Sequence, residues 1–600
     1  MADSPRSAPV SFSEFEPVTT AAWQERIRRD LKGQDPAALA WQTPDGFAVQ
    51  PFYHREALAE LGGAPAPQVR PGAHWRNVPT YTVPATEPGH AAIDRAANTL
   101  TRGADGAHFV LENAEAFDVD YLHQRLPLND TYVGYTVRGG AAGLVQRLAD
   151  TGAVLRGFLV SDPITRHAPD LKVQLRDLAD AVRRSRSWPE FRALGLNAAL
   201  YGNRGATVTQ QIAFTLSTAA AYLSELPNLG EVSVAEVAAA LHVHVAINPS
   251  YFPELARLRA LRRLWATLLH AFGVPAEVAQ RLTILASTAT WSQTTLDPHT
   301  NLLRVSTEAM SAVLGGADAV SVGSFDSLFH GPNEFAERLA RNLPVLLREE
   351  AYLDRVQDPA AGSYYLETLT DQLAREAWAL FQRVEEAGGL PAATGLVLQE
   401  LHAAAQAQFR RIATGEQVVV GTNRFHNPHE QFDYNPKRLL RSREFDSTRA
   451  TYPTEVLRLA TALHFERREK KRKRAAVVLL GAHTNQLILE SFLRTLPEQE
   501  RPELRDAHPE GTLSVLFSSP EEATLMYATP EQFGRLARAI SHVPLDEPTF
   551  IPPALLTADL ATLQEAVRVF GFEEFTVQGY STEDVLARLQ GRGASHAPGR

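Results

Sequence analysis

The 600-residue sequence contains no cysteine. Disulfide bonds, thiolate metal sites and cysteine nucleophiles are therefore excluded, and this composition is typical of a cytoplasmic protein. Long apolar runs are also missing, since no stretch approaches the ~20 residues that span a bilayer. Residues 1–17 lack the charged-then-apolar order of a secretion signal. The sequence therefore predicts a cytoplasmic protein that does not insert into a membrane.

An excess of positive charge is absent too. The 59 lysines and arginines are outnumbered by 69 aspartates and glutamates, which gives a net charge of −10. Nothing here would neutralise a phosphate backbone, so nucleic acid is not an expected partner. One basic run, RREKKRKR at residues 467–474, is interpreted as a solvated helix face. No phosphate-binding loop or dinucleotide glycine fingerprint occurs.

Strand and helix patterns alternate from about residue 90 to residue 371. Seven strand candidates are separated by helical patterns, and they occupy residues 107–113, 131–137, 154–161, 196–202, 242–248, 282–288 and 317–323. The spacing of these βα units predicts a (β/α)8 barrel, in which reaction sites gather at the C-terminal ends of the strands. Two later helices carry apolar residues at Leu303, Met310 and Val313, and at Phe335 and Leu346.

The remaining chain suggests three further parts around a barrel at residues 61–400. Residues 1–60 form an N-terminal arm, in which Thr19 or Thr20 caps a helix that carries Trp23, and FAVQPFY reads as an edge strand ending near Phe52. Because this arm has little core of its own, it is expected to lie on another surface. Residues 61–88, which are rich in proline and glycine, are interpreted as a boundary loop.

Residues 401–474 are predicted to be a helical linker, and residues 475–600 a small α/β domain of flavodoxin-like type. The latter opens with AAVVLLGAHTNQLILESFL, which has a strand-then-helix pattern. Further strand candidates are residues 513–519, 549–556 and 572–579.

Two stretches carry a resemblance to a known family. LDPHTNLLRVSTEAMSAVLGGADAVSVGSFD at 296–326 and RVQDPAAGSYYLETLT at 355–370 resemble the cobalamin-dependent acyl-CoA mutases, the methylmalonyl-CoA mutase family above all. The arm patterns, F-x-E-F-x-P-V-T and W-x-T-x-x-G-x-x-V-x-P-x-Y, resemble those of its small subunits. The resemblance implies a radical carbon-skeleton rearrangement with adenosylcobalamin, an arm at the subunit interface, and a cobalamin-binding position for the C-terminal domain.

The loop expected to hold cobalamin departs from the family pattern. Members that bind the cofactor carry Asp-x-His-x-x-Gly, in which the histidine coordinates cobalt and the aspartate orients it. Here Gly481 and Gln486 replace the aspartate and the glycine, and only His483 is retained. We therefore predict no cofactor-binding residue, and interpret His483 as a polar histidine at a strand end.

Three substrate-binding positions implied by the resemblance also depart from the pattern. Leu200 stands where a histidine would contact the thioester, with Tyr201 and Asn203 as substitute donors or as turn residues. Ser287 stands where a glutamine precedes the tryptophan matched by Trp291. The clasping segment, residues 79–91, keeps Tyr81 but has neither the arginines nor the tryptophan of the family. We therefore predict no catalytic residue in this chain.

Two pairs of histidines were weighed as metal sites. His242 and His244 face the same side of one strand, where packing inside the barrel is favoured over a metal because no carboxylate run adjoins them. His426 and His429 lack the spacing of a zinc-binding helix and are interpreted as loop residues. No metal-ligating residue is predicted.

The sequence therefore favours a non-catalytic small subunit that forms a heterodimer with a methylmalonyl-CoA mutase large subunit, on which adenosylcobalamin is expected. Two alternatives stay open. One is a self-sufficient acyl-CoA mutase with substituted site residues, and the other is an interacting protein that protects a mutase.

Overall fold

The computed structural model describes most of the chain up to residue 425 and short segments beyond it. The described residues are 18–62, 70, 72–328, 330–413, 416–425, 449–452, 455, 476–480, 512–517, 522–528 and 574–578. No helix among them is both long and apolar enough to cross a membrane.

Parallel strands form a closed ring at the centre of the structure. They fall into two five-stranded sheets, one in the order β3-β12-β11-β10-β9 and the other in the order β4-β5-β6-β7-β8. The ring strands are β3 (Arg76–Asn77), β4 (Thr80–Val83), β5 (Gly106–Leu111), β6 (Tyr132–Val137), β7 (Arg156–Val160), β8 (Phe191–Arg192), β9 (Leu194–Asn197), β10 (Leu241–Ile247), β11 (Ile284–Thr288) and β12 (Ala319–Ser321).

Two chain segments join the sheets and close the ring. β3 and β4 are halves of one segment interrupted at residues 78 and 79, and β8 and β9 are halves of another interrupted at Ala193. Counting each segment once gives eight positions, and β12 pairs with β3 through Ala319 and Arg76. The α/β class with parallel strands is confirmed, and the arrangement is that of a (β/α)8 barrel.

Helices follow each ring strand, as right-handed crossovers between parallel strands require. They are α3 (His90–Leu100), α4 (Val119–Arg125), α5 (Ala141–Asp150), α6 (Leu171–Arg184), α7 (Ala199–Gly202), α8 (Val208–Asn228), α9 (Val234–Ala240), α10 (Tyr251–Ala271), α11 (Ala276–Ala279), α12 (Thr300–Leu314) and α13 (Glu334–Glu349). Two longer helices complete the described region, α14 (Tyr364–Glu386) and α15 (Thr394–Ala413).

Buried arginines explain the charged pattern of α10. Arg259 is 1% exposed and donates to Glu367 on α14 at 2.8 Å and to Asp358 at 3.2 Å. Arg262 donates to the backbone oxygens of Leu282 and Gly316. Because a buried charge is costly unless it is paired, these contacts fix the helix against its neighbours.

The N-terminal arm packs on the barrel through its second half. It comprises α1 (Thr20–Asp30), a short 3-10 helix (Pro36–Leu39), the antiparallel pair β1 (Trp41–Gln42) and β2 (Ala48–Val49), and α2 (Arg55–Glu60). Asp45 accepts a hydrogen bond from the Thr209 backbone at 2.7 Å, and Tyr53 contacts Tyr365. Helix α1 has no buried residue. As predicted, Thr19 caps it by accepting from the backbone N–H of Ala22.

Three local expectations are corrected. The predicted boundary loop, 61–88, contains β3 and β4 and therefore supplies one ring position, because X-Pro geometry suits an extended chain as well as a loop. The predicted strand 196–202 ends at Asn197 and continues as helix α7. Leu303 and Phe335, predicted on apolar helix faces, are 67% and 63% exposed.

Four strands are described in the C-terminal part, β13 (Ala476–Leu480), β14 (Thr512–Phe517), β15 (Glu522–Ala528) and β16 (Glu574–Gln578). Three of them match predicted strands, whereas residues 549–556 lie outside the described residues. The sheet order is β13-β14-β15-β16, with the first two pairings antiparallel and the third parallel. A flavodoxin-like sheet is parallel, so these strands do not confirm that part of the prediction.

Candidate functional site

The inward side chains of the ring strands meet in the barrel lumen. A cluster separate from the main core occupies part of the lumen, and its members are Val78, Tyr132, Phe158, Val160, Leu285 and Ala319. The Phe158 ring lies over Gly134, where a Cβ atom would come within 2.0 Å of it. Glycine at that position is therefore required to admit the aromatic ring into the lumen.

Two buried histidines, His108 and His242, and the half-buried His244 lie in the same lumen. His108 lies within hydrogen-bond distance of Thr136, with 2.7 Å between Nε2 and Oγ1, and of Thr80, with 3.0 Å between Nδ1 and Oγ1. His244 Nε2 lies 3.0 Å from the Ser287 hydroxyl. The ring of His242 packs 5.0 Å from that of Phe158, and the rings of His108 and His244 are 5.9 Å apart.

These histidines are uncharged at neutral pH. Burial lowers the pKa of His242 to about 3 and that of His244 to about 4, and burial together with His244 holds the pKa of His108 well below its usual value. His108 and His244 make their polar contacts with hydroxyl groups of the same lumen. Among the described residues no group of three or more His, Asp or Glu side chains is placed to hold a metal ion.

The mouth at the C-terminal ends of β9 and β11 is held by side chain to backbone contacts. The Asn203 side-chain oxygen accepts from the backbone N–H groups of Thr290 and Trp291, at 2.9 and 3.3 Å. The Trp291 indole donates to Gln408 on α15 at 2.8 Å. Gly205 adopts a φ of +87°, and a Cβ there would lie 2.5 Å from the Trp291 ring. The two loops are thus locked together.

Helix α15, residues 449–452 and Glu455 cover this side of the mouth. Trp291 shares a buried cluster with Leu398, Ala405, Phe409, Ile412 and Ala450. Arg449 and Glu455, each fully buried, form an ion pair with two contacts of 2.7 and 2.6 Å. Glu455 also accepts from the backbone and hydroxyl groups of Thr295. Burial opposes its ionisation, but the charge of Arg449 prevails and lowers the pKa of Glu455.

Glu308 on α12 is buried behind the same loop. Burial raises its pKa to about 8, because the neighbouring Ser292 hydrogen bond at 2.8 Å does not offset the loss of water. The carboxyl group is therefore largely protonated at neutral pH. It holds Ser292 in the loop that follows β11.

Comparison with known proteins decides the family. The family model described as methylmalonyl-CoA mutase matches residues 166–463. A methylmalonyl-CoA mutase small subunit from Porphyromonas gingivalis is 32% identical over 447 residues, with 69% of this chain and 71% of that protein covered. The small subunit from Streptomyces virginiae is 37% identical over 445 residues, with the same coverage of each chain. The chain belongs to the methylmalonyl-CoA mutase family.

The methylmalonyl-CoA mutase large subunit from P. gingivalis is also similar, at 30% identity over 331 residues. That match covers 52% of this chain and 46% of the large subunit. P. gingivalis therefore carries both a small and a large subunit that are similar to this chain.

Three residues at or near the substrate-binding positions implied by the resemblance, Tyr201, Asn203 and Ser287, make hydrogen bonds within the barrel. Tyr201 is buried, its hydroxyl lies 3.1 Å from that of Thr218, and burial raises its pKa to about 12. Asn203 serves the loop contacts above, and Ser287 contacts His244. Leu200 lies in α7.

Tyr81 is not in the lumen. It faces α3, where its hydroxyl contacts Thr99 and Arg95 lies 5.5 Å from its ring. The predicted interpretation of His242 and His244 as barrel-packing residues fits their positions. His426, His429 and His483 lie outside the described residues, so no structural statement applies to them.

Sequence reasoning missed His108 and the pair of Arg449 and Glu455. The position of His108 could have been predicted from the strand pattern. Because side chains alternate between the two faces of a strand, His108 shares the inward face with Gly106 and Val110. The ion pair had no such signal, since its partners come from a segment of weak periodicity.

Proposed function

We propose that this chain is the non-catalytic small subunit of an adenosylcobalamin-dependent methylmalonyl-CoA mutase in the cytoplasm. It supports a large subunit that interconverts methylmalonyl-CoA and succinyl-CoA. The observation that carries the proposal is the partly occupied lumen, in which Tyr132, Phe158 and three uncharged histidines lie along the axis of the barrel.

A reaction site needs both room for the substrate and unused polar groups beside it. In this lumen Thr80 contacts His108 and Ser321, and Ser287 contacts His244. At the mouth, Asn203 and Tyr201 are engaged with the loops and with the core. The side chains that would substitute for the family's donors therefore support the fold.

The N-terminal arm supports the proposal that this chain binds a large subunit. Helix α1 buries none of its residues, and Trp41 and Phe52 are 46% and 45% exposed. Large exposed aromatic side chains are the usual anchors of protein interfaces. A large subunit that covers the arm would bury them, and the proposed assembly is a heterodimer.

The donor set expected for cobalamin does not fit this chain. Gly481 stands where a carboxylate would orient His483, and Gln486 stands where a glycine would allow close approach of the cofactor. We therefore place adenosylcobalamin on the large subunit and derive no step through it here.

Titration of the purified chain with adenosylcobalamin, followed by absorbance, tests this assignment. No spectral change is expected at micromolar cofactor, and His483→Ala should behave as the wild type does. Saturable binding that His483→Ala abolishes would contradict the proposal and favour a self-sufficient mutase.

A further inference from the structure

A cavity of about 480 Å³ opens beside the loops that follow β11 and β12. Its walls include Pro298, His299, Phe325, Asp326, Asn333 and Phe335. The volume lies within the range of small-molecule sites, and the position is at the C-terminal ends of barrel strands, where ligands of this fold are bound. None of these residues belongs to the lumen or to the mouth contacts described above.

Asp326 is the polar group that defines the cavity. It is 5% exposed, and its Oδ2 atom accepts from the Asn333 side chain at 2.7 Å and lies 3.4 Å from His330 Nδ1. Its Oδ1 atom has no hydrogen-bond partner among the described residues. A buried carboxylate oxygen without a partner is costly. A donor brought by a ligand would satisfy it.

Three rings give the cavity flat, apolar walls. The rings of His299 and Phe325 are nearly parallel, at an interplanar angle of 28° and a centroid distance of 5.5 Å. Phe335 stands perpendicular to Phe325, at 89° and 6.4 Å, and is 63% exposed. Such walls favour a planar ligand that stacks on one ring and meets the edge of another.

The charge of Asp326 is offset locally. Helices α12 and α13 both begin beside the cavity, since His299 and Asn333 are the residues that precede their first turns. The N-terminal end of a helix carries a partial positive charge. Two such ends beside the one carboxylate of the wall reduce its attraction for a full cation, which favours an uncharged donor.

We propose that this cavity binds an uncharged, planar nitrogen heterocycle that carries an N–H donor, with the donor on Asp326 Oδ1 and the ring against the exposed His299 and Phe335. The proposal does not depend on the chain being a mutase subunit.

A matched pair of ligands tests it on the full chain. 2-Aminopyrimidine supplies the planar ring and the N–H donors, whereas pyrimidine supplies the ring alone. In an NMR titration the wild type should bind 2-aminopyrimidine about tenfold more tightly than pyrimidine, because one hydrogen bond to a charged acceptor is involved. Equal affinities, or no saturable binding of either ligand, would overturn the proposal.

Three variants locate the site. In Asp326→Asn the preference for 2-aminopyrimidine should fall to about threefold, since the amide oxygen that replaces the carboxylate is an uncharged and weaker acceptor. In Phe335→Ala both ligands should bind about threefold more weakly with the preference retained, because only stacking is removed. Glu334→Gln, at a side chain 87% exposed and outside the cavity wall, is the control and should change neither affinity.

Circular dichroism reports whether Asp326→Asn folds. If that variant does not fold, the ligand affinities of Phe335→Ala test the proposal alone, because the exposed Phe335 side chain can be removed without disturbing the core. An unchanged affinity for both ligands in Phe335→Ala would contradict the proposal, as would an undiminished preference in folded Asp326→Asn.

Discussion

At the scale of single residues, the buried histidines make the barrel sensitive to acid. An unfolded histidine has a pKa of 6.5, whereas His242 and His244 in the fold have values of about 3 and about 4. The unfolded chain therefore binds more protons once the pH falls below 6.5. Their stabilising contribution is complete above that pH, and it is lost as the pH falls towards the folded values.

Lowering the pH from 7.5 to 5 should therefore cost the barrel about 2 kcal/mol of unfolding free energy for each of these two histidines. His242→Leu should remove one such contribution and leave a shallower pH dependence. Urea unfolding followed by tryptophan fluorescence measures this, because all seven tryptophans lie between residues 23 and 378. His123→Leu, at an exposed position, is the control. A His242→Leu variant with the pH dependence of the wild type would contradict this account.

At the scale of single residues, the sequence identified positions of the candidate site but not the contacts that their side chains make. The departures at Leu200 and Ser287 were visible as residue types. The uses of Tyr201 and Asn203 were not, because their partners, Thr218 and Thr290, are distant in the chain and come close only in the folded structure. The cavity at Asp326 was missed for the same reason, since two loops from different strands form it.

At the scale of elements, the exposed arm helix makes a specific prediction. Trp23 and Phe52 contact each other, with ring centroids 4.4 Å apart, although α1 itself buries nothing. Replacing both with alanine should weaken binding to the large subunit by about 30-fold, because the two contacting rings act as one buried aromatic anchor that contributes on the order of 2 kcal/mol.

Analytical ultracentrifugation of the mixed subunits measures this loss. Val173→Ala is the matched control, since Val173 is an exposed apolar residue on α6, 63% accessible and outside the arm. An unchanged association constant for the double variant would show that the arm is not the contact surface.

Element prediction succeeded where the periodicity was strong. The strands β5, β6, β7, β10 and β11 lie within a few residues of their predicted bounds. The first ring strand was missed because prolines and glycines dominate residues 61–88, and its two halves pair with different sheets. The sequence pattern of one strand does not indicate which distant strand it pairs with to close the barrel.

At the scale of the whole molecule, the structure combines a complete barrel scaffold with a partly occupied axis. The paired arginines of α10 and the pair of Arg449 and Glu455 hold the scaffold together. The lumen holds aromatic and imidazole rings along part of its axis, whereas the inward Thr80 and Thr82 are exposed. A scaffold with a partly occupied lumen suits the proposed supporting subunit, whose function would lie in binding another chain.

Reconstitution of mutase activity tests this account most directly. The chain and a family large subunit, each purified alone, are assayed separately and as an equimolar mixture with adenosylcobalamin and methylmalonyl-CoA. The account predicts no succinyl-CoA from this chain alone, and an activity in the mixture that saturates at one chain per large subunit. Succinyl-CoA formed by this chain alone, or a mixture no more active than the large subunit by itself, would contradict it.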